Sequence, residues 1–175
     1  MVVPSLTIER VPSEAREAVL PALTHLLQTV VATGASIGFL PPLDTKEAEA
    51  YWHGVFQDII RQTTILLLAR IAEQIVGSVQ LALATKPNAL HRAEVQKLFV
   101  HPEQQGRGIG RALMQALEQV AREHKRSLLV LDTRLGDTAE QLYRKLGYQE
   151  AGIIPEFARS ATGTLDSTIY FFKKL

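Results

Sequence analysis

The sequence contains no cysteine in 175 residues, and only one tryptophan and two methionines. The fold is therefore not stapled by disulfides. A thiolate zinc site and a cysteine nucleophile are both excluded, and no metal is expected. An excess of charge of one sign is also missing: 19 Lys and Arg stand against 18 Asp and Glu, for a net charge of +1. A general nucleic-acid binder would show a strong basic excess, so no nucleic-acid partner is expected. Long apolar runs are absent too. The stretch Val19–Ala32 is broken by Thr24, His25, Gln28 and Thr29 and falls short of a membrane span. Arg10 is the one basic residue among the first ten, so no basic leader is read and no membrane is expected. These features predict a cytoplasmic protein, working as a monomer or homodimer. Its 46% hydrophobic content is enough for a real core, and its length suits one domain over residues 1–175.

What is present is organised around Val95–Ala121, VQKLFVHPEQQGRGIGRALMQALEQVA. Val95, Leu98, Phe99 and Val100 predict a strand, which His101-Pro102 ends. A glycine-rich turn, Gln105-Gly106-Arg107-Gly108-Ile109-Gly110, follows. Then Ile109, Leu113, Ala116, Leu117, Val120 and Ala121 recur with helical spacing. A strand, glycine turn and helix in succession can hold phosphate, because backbone N–H groups and the unpaired donors of a helix start converge on an anion. A P-loop would need Gly-Lys-Ser/Thr after the turn, which is missing. A dinucleotide fingerprint would need a third glycine where Arg111 stands.

The flanking elements read as follows. Leu6 to Val11 gives a short strand. Ser13 is expected to cap a helix that Pro21 bends or interrupts. A Gly/Pro-bearing loop, Gly34–Pro42, leads to a helix from Asp44 to about Gln62, with Glu47 completing a capping box. Ile65–Ala72, Ile75–Ala84 and His91–Val100 predict an antiparallel meander, with Gly77 marking a bulge or close approach. The aliphatic run Ser127–Asp132 predicts a covered central strand, parallel to the glycine-loop strand through a helical crossover. Asp137 and Glu140 form a second capping box for a short helix that Gly147 ends. Tyr148–Ala151 and Thr168–Phe172 predict two last strands around a turn-rich stretch, Pro155–Ser167. The fold class is α/β with a mixed, mostly antiparallel sheet and a central parallel pair.

The string Gln105-x-x-Gly108-x-Gly110 resembles the acyl-CoA pyrophosphate loop of the GNAT N-acetyltransferases, and the element order matches that fold from end to end. The segments ASIGF, KPN, RAEVQKLFV, GRGIG, EHKRSLLVLDT and TIYF are similar to the tabtoxin-resistance branch of that family. The resemblance implies acetyl-CoA as cofactor and a splayed gap between the Glu94–Val100 and Ser127–Asp132 strands. The pantetheine arm would lie there against the backbone of Leu98, Phe99 and Val100, with the pyrophosphate on Gln105, Gly106, Arg107, Gly108, Ile109, Gly110 and Arg111. It also implies Tyr143 as the acid that protonates the departing thiolate. The plain alternative for Tyr143 is a residue of the helix's apolar face.

An attacking amine arrives as ammonium and must lose a proton, and Glu94 and Asp132 are the candidate groups. Either acts directly, through water, or by binding the ammonium. Glu94 could instead pair with Arg92 or Lys97, and Asp132 could cap its strand. Glu94 and Leu98, four apart on one strand, are expected on the same face. The resemblance further implies a small amine substrate, tabtoxinine β-lactam, with a polyamine or another amino acid as the alternative. Ser36, Phe39, Asn88, Arg134, Phe157 and Asp166 are the candidate substrate contacts. A non-catalytic acyl-CoA-binding module would keep the glycine loop without needing Glu94, Asp132 or Tyr143.

Overall fold

The computed structural model describes residues 5–175. Residues 1–4, part of the segment read above for a leader, lie outside the described residues. A seven-stranded sheet runs in the order β1-β2-β3-β4-β5-β7-β6. Its strands are β1 Leu6–Arg10, β2 Thr64–Ile71, β3 Gln74–Leu83, β4 Arg92–Val100, β5 Leu128–Arg134, β6 Gln149–Arg159 and β7 Leu165–Lys174. Among the described residues, only β4 and β5 are parallel; the other neighbours pair antiparallel. The helices are α1 Arg16–Ala32, α2 Thr45–Ile60, α3 Ile109–Glu123 and α4 Thr138–Lys145.

The sheet's pleat sends alternate residues to opposite faces, and two cores result. On one face Ile65, Leu67, Val79, Leu81, Ala93, Val95, Leu129 and Leu131 pack against Leu113, Met114 and Leu117 of α3 and Tyr143 of α4. On the other, Leu66, Leu68 and Phe99 pack against Leu23, Leu27 and Val30 of α1 and Trp52 and Phe56 of α2. Each fully buried leucine or phenylalanine side chain contributes about 1.5–3 kcal/mol relative to exposure. Gly77 marks a close approach: a Cβ there would lie 3.1 Å from Leu113 Cδ1 and 3.2 Å from the Phe99 carbonyl oxygen. Among the described residues, no helix is long and apolar enough to cross a membrane.

Four local expectations are corrected. Ser13 caps nothing: Ser13–Ala15 forms a 3-10 turn without a side-chain cap bond, and α1 starts at Arg16. Pro21 does not interrupt α1, which continues to Ala32; as the sixth residue of the helix it forgoes one bond, to the Glu17 carbonyl, while Val19, Leu23, Leu26, Leu27 and Val30 bury the helix against the sheet and α2. At α4, Asp137 holds the N-cap position but makes no side-chain cap bond, because its Oδ1 takes Arg134 Nη2 at 3.1 Å, while Glu140 accepts from Gly136 N–H. The stretch Pro155–Ser167 is mostly not a loop. β6 runs on to Arg159 and β7 begins at Leu165, with irregular register between Ile154 and Ala158. By contrast, Asp44 does cap α2, accepting from Glu47 N–H at 2.8 Å, and Gly147 takes φ +84° just after α4.

Candidate active site

One extra residue in β4 shapes the site. Gln96 pairs with Gln80 of β3, yet Phe99, three residues on, pairs with Ser78, two residues on. The bulge centres on Lys97, whose φ is +52°, a left-handed value that non-glycine residues adopt at a cost. The bulge reverses the strand's alternation. Ala93 and Val95 face α3 before it, and Leu98 and Val100 pack on that same core after it, whereas Phe99 joins the α1–α2 core. Glu94, between Ala93 and Val95, therefore emerges on the α1–α2 face. The expectation that Glu94 and Leu98 share a face is corrected: simple counting of four residues fails across an inserted one.

The same distortion separates β4 from β5. The parallel pair covers Arg92↔Leu128, Ala93↔Leu129 and Glu94↔Val130 and then stops, although β5 continues with β7 to Arg134. The facing edges of Val95–Val100 and Leu131–Arg134 are left without each other as partners. A slot lined by unpaired backbone donors and acceptors suits an amide-bearing chain laid in as an extra strand.

The slot leads to the glycine turn. Gln105 Nε2 donates to the Val100 carbonyl at 3.2 Å, tying the turn to the end of β4. Gly106 and Gly108 have φ of +75° and +79°, and a Cβ on either would meet nothing within 4 Å. Backbone conformation, not crowding, is what asks for glycine there. Gly108 is the N-cap of α3 and supplies no side-chain cap, and the first bond back to it comes from Ala112 N–H at 3.0 Å. The N–H groups ahead of Ala112 are thus free to meet an anion. Gly110 lets α4 approach, since its Cβ would lie 3.3 Å from Leu142 Cδ2. Arg107 and Arg111 are exposed beside this turn. Ile109 and Phe99 are buried in the cores, so only their backbones are available to a ligand. This donor set fits a pyrophosphate, and the slot fits the amide-bearing arm behind it.

A cavity of about 560 Å³ opens where the strands part, gathering Ser36, Glu94, Leu98, Val100, Gln105, Asp132, Arg134, Tyr143, Phe157 and Asp166. Glu94 and Asp132 come from facing strands and the same face of the sheet, because Leu129 and Leu131 on either side of Val130 turn toward α3. The Thr168 hydroxyl lies 2.7 Å from Asp132 Oδ2 and 2.8 Å from the Thr133 carbonyl oxygen, and its donation to the former orients the exposed carboxylate. Tyr143 belongs to the opposite core, where its ring lies 5.9 Å from Tyr148 and 6.0 Å from Phe171. Burial, with Asp132 and Asp137 nearby, pushes its phenol well above the ordinary tyrosine value.

The remaining expected contacts divide. Arg134 lines the cavity but is occupied, with Asp137 at 3.1 Å and Asp166 at 3.7 Å. Phe157 stands edge-on to Tyr170 at 6.1 Å. Phe39 lines a smaller neighbouring recess with Ser36, Pro41 and Ala161 rather than the main cavity. Asn88 is not brought to the site. It is exposed in the 3-10 turn Pro87–Ala89 that precedes β4, at the end of the strand opposite the cavity. The alternative of a Glu94 ion pair to Arg92 or Lys97 does not form among the described residues.

Lys97 is the cavity residue that sequence reasoning passed over as a site group. Its Nζ lies 5.8 Å from the Phe39 ring centre and 6.0 Å from that of Tyr51. Burial lowers its pKa from the ordinary lysine value, partly offset by Asp132 and Glu94. A signal existed: Gln96-Lys97 followed by Leu98-Phe99-Val100 breaks the polar–apolar alternation of a regular strand, as an inserted residue would.

Comparison with known proteins agrees with this geometry. Residues 62–150 match the family model described as the acetyltransferase (GNAT) domain. The chain is 30% identical over 131 residues to an uncharacterized N-acetyltransferase of the hisH-hisA intergenic region of Azospirillum brasilense, covering 74% of this chain and 76% of that one. Among solved structures, a ribosomal-protein-alanine N-acetyltransferase from Brucella melitensis superposes with TM-score 0.81 at 24% identity, over 97% of this chain and 99% of that one. YncA from Salmonella typhimurium, solved with its cofactor acetyl-CoA, superposes with TM-score 0.78 at 20% identity, over 97% and 94% of the two chains.

Proposed function

The chain belongs to the GNAT acetyltransferase family, and on that premise we propose that it acts as one domain that acetylates the amine of a small molecule from acetyl-CoA. Acetyl-CoA supplies an activated acetyl thioester. The observation that carries the reading is the opening between β4 and β5, with Glu94 and Asp132 on one face of the sheet and Tyr143 on the other. The Leu98 backbone N–H, just past the bulge, is the donor assigned to the acetyl oxygen, where a fixed dipole stabilises developing negative charge. Glu94 and Asp132 receive the substrate ammonium and take its proton, directly or through water. Tyr143 holds a proton for the departing sulfur. A tyrosine keeps that proton at neutral pH even at its ordinary pKa of about 10, and burial, which raises it, disfavours a lasting phenolate.

Within that reaction the substrate is assigned as tabtoxinine β-lactam, a small amino acid, on the similarity of ASIGF, KPN and RAEVQKLFV to the tabtoxin-resistance branch. The cavity is of a size suited to a small ligand. The test is an acetylation screen with purified protein, acetyl-CoA and a panel of amines, read by thiol release and product mass. Turnover on the β-lactam amino acid is expected. Turnover on polyamines or peptides, with none on that compound, would overturn the substrate and leave the reaction standing. Acetyl-CoA binding without any turnover would point instead to a binding module.

A further inference from the structure

The cavity holds two cations that differ in their surroundings. Arg134 is neutralised by Asp137 and Asp166 and also reaches the Gly34 carbonyl at 3.5 Å. Lys97 has no carboxylate within ion-pairing distance among the described residues. Its ammonium faces aromatic rings instead. It stands near the Phe39 and Tyr51 rings, and Tyr51 is itself held by Gln80 Nε2 at 2.7 Å. A Cβ on Gly38 would lie 3.0 Å from Nζ, so the glycine leaves the room that the ammonium uses. Aromatic faces orient a cation but do not neutralise it.

We propose that Lys97 receives the carboxylate of an amino-acid-type substrate, and that this charge makes the site select zwitterionic amines over polyamines. The inference rests on the acetyl-transfer reading above and narrows its substrate class. The charges match a zwitterion. Glu94 and Asp132 lie at the strand parting and take the ammonium. Lys97, three residues beyond Glu94 and on the same side of the sheet, takes the carboxylate. A polyamine would instead place a second ammonium against Lys97. The bulge is what makes this arrangement, since regular pleating would send residue 97 toward α3 with Ala93 and Val95. Burial favours giving this cation an anionic partner, because a charge removed from water gains most from a charged hydrogen bond.

The experiment compares steady-state acetylation of α-amino acids, tabtoxinine β-lactam among them, with acetylation of their carboxamides. Wild-type protein and the variants Lys97→Met and Lys97→Arg are used, each checked for its melting temperature and its acetyl-CoA affinity. The wild-type protein is expected to favour each acid over its amide by roughly tenfold or more in kcat/KM, the scale of one charge-assisted hydrogen bond. Lys97→Met should abolish that preference through KM on the acids and leave the amides nearly unchanged, and Lys97→Arg should retain it. Equal use of acids and amides by the wild-type protein, which needs no variant, overturns the role of Lys97. So does an equal loss on both in Lys97→Met. Failure of the wild-type protein to acetylate either member of any pair overturns the amino-acid substrate class and the role of Lys97 with it; the acetyl-transfer reading falls only if polyamines and peptides are not acetylated either.

Discussion

Glu94 and Tyr143 line one cavity from opposite faces of the same sheet. They can do so only because the β4–β5 pairing ends at Glu94↔Val130. On the proposed reading, a group threaded through that opening would have Glu94 as proton acceptor for the incoming amine on one side and Tyr143 as proton donor for the leaving sulfur on the other. The two roles therefore do not compete for one proton.

Replacing Tyr143 by Phe separates acid chemistry from binding. The ring stays in its cluster with Tyr148 and Phe171, so fold and acetyl-CoA affinity should be nearly unchanged, while turnover falls by a factor of about 10² or more. Steady-state kinetics beside a binding titration reads both. Unchanged turnover, with chemistry limiting the rate, removes Tyr143 from the acid role.

The two carboxylates are told apart by pH. In Glu94→Gln or Asp132→Asn, the variant that has lost the base should lose more turnover at neutral pH than at high pH, where the amine arrives uncharged. A loss that is uniform across pH marks the residue as one that places substrate. Asp132→Asn should in addition lower the melting temperature, because the Thr168 hydroxyl loses its charged acceptor.

Gly108→Ala tests the anion site. An alanine held at φ +79° costs roughly 1–2 kcal/mol, though its Cβ meets no neighbour. Stability should fall modestly and acetyl-CoA affinity by about tenfold as the donors of the α3 start shift. Gly163→Ala, at φ +91° in an equally open turn, should lose comparable stability without losing affinity. Calorimetry on both variants decides.

Alkaline stability follows from three phenols, two buried (Tyr143 and Tyr148) and one partly buried (Tyr51). Tyr51, Tyr143 and Tyr148 are all raised well above the ordinary tyrosine value, chiefly by burial. In the unfolded chain they ionise near pH 10, while in the folded chain they keep their protons. The stability they contribute is complete below that pH and is lost above it, at about 1.4 kcal/mol per pH unit for each group. Unfolding followed by circular dichroism should coincide with phenolate absorbance. Phenolate absorbance at about pH 10 beyond that of the fourth tyrosine, Tyr170, with the fold intact would contradict the burial of these rings.

The alternating and helical periods of the sequence specified the sheet, the crossover and the glycine turn, because each depends on local pattern. Three things were not legible. The bulge at Lys97 shifts side-chain parity by one, so Glu94 and Leu98 part company although their spacing says otherwise. The β6–β7 hairpin crosses Pro155 and includes exposed residues such as Phe157, and a turn-rich composition hid its strands. Arg134 reads as a candidate substrate contact, but its pairing with Asp166 joins β5 to β7, neighbouring strands separated in sequence by α4 and β6, which spacing does not show. Asn88 was drawn in by resemblance alone, and its turn lies at the far end of β4.

The most direct test of the account is calorimetric titration of acetyl-CoA into the wild-type protein. The slot between β4 and β5 and the donors of the glycine turn predict saturable binding with a Kd below about 1 mM, the weak end of common substrate constants. Absence of any binding heat or competition by coenzyme A at that concentration would contradict acetyl-CoA use, and with it the roles given to Glu94, Asp132 and Tyr143.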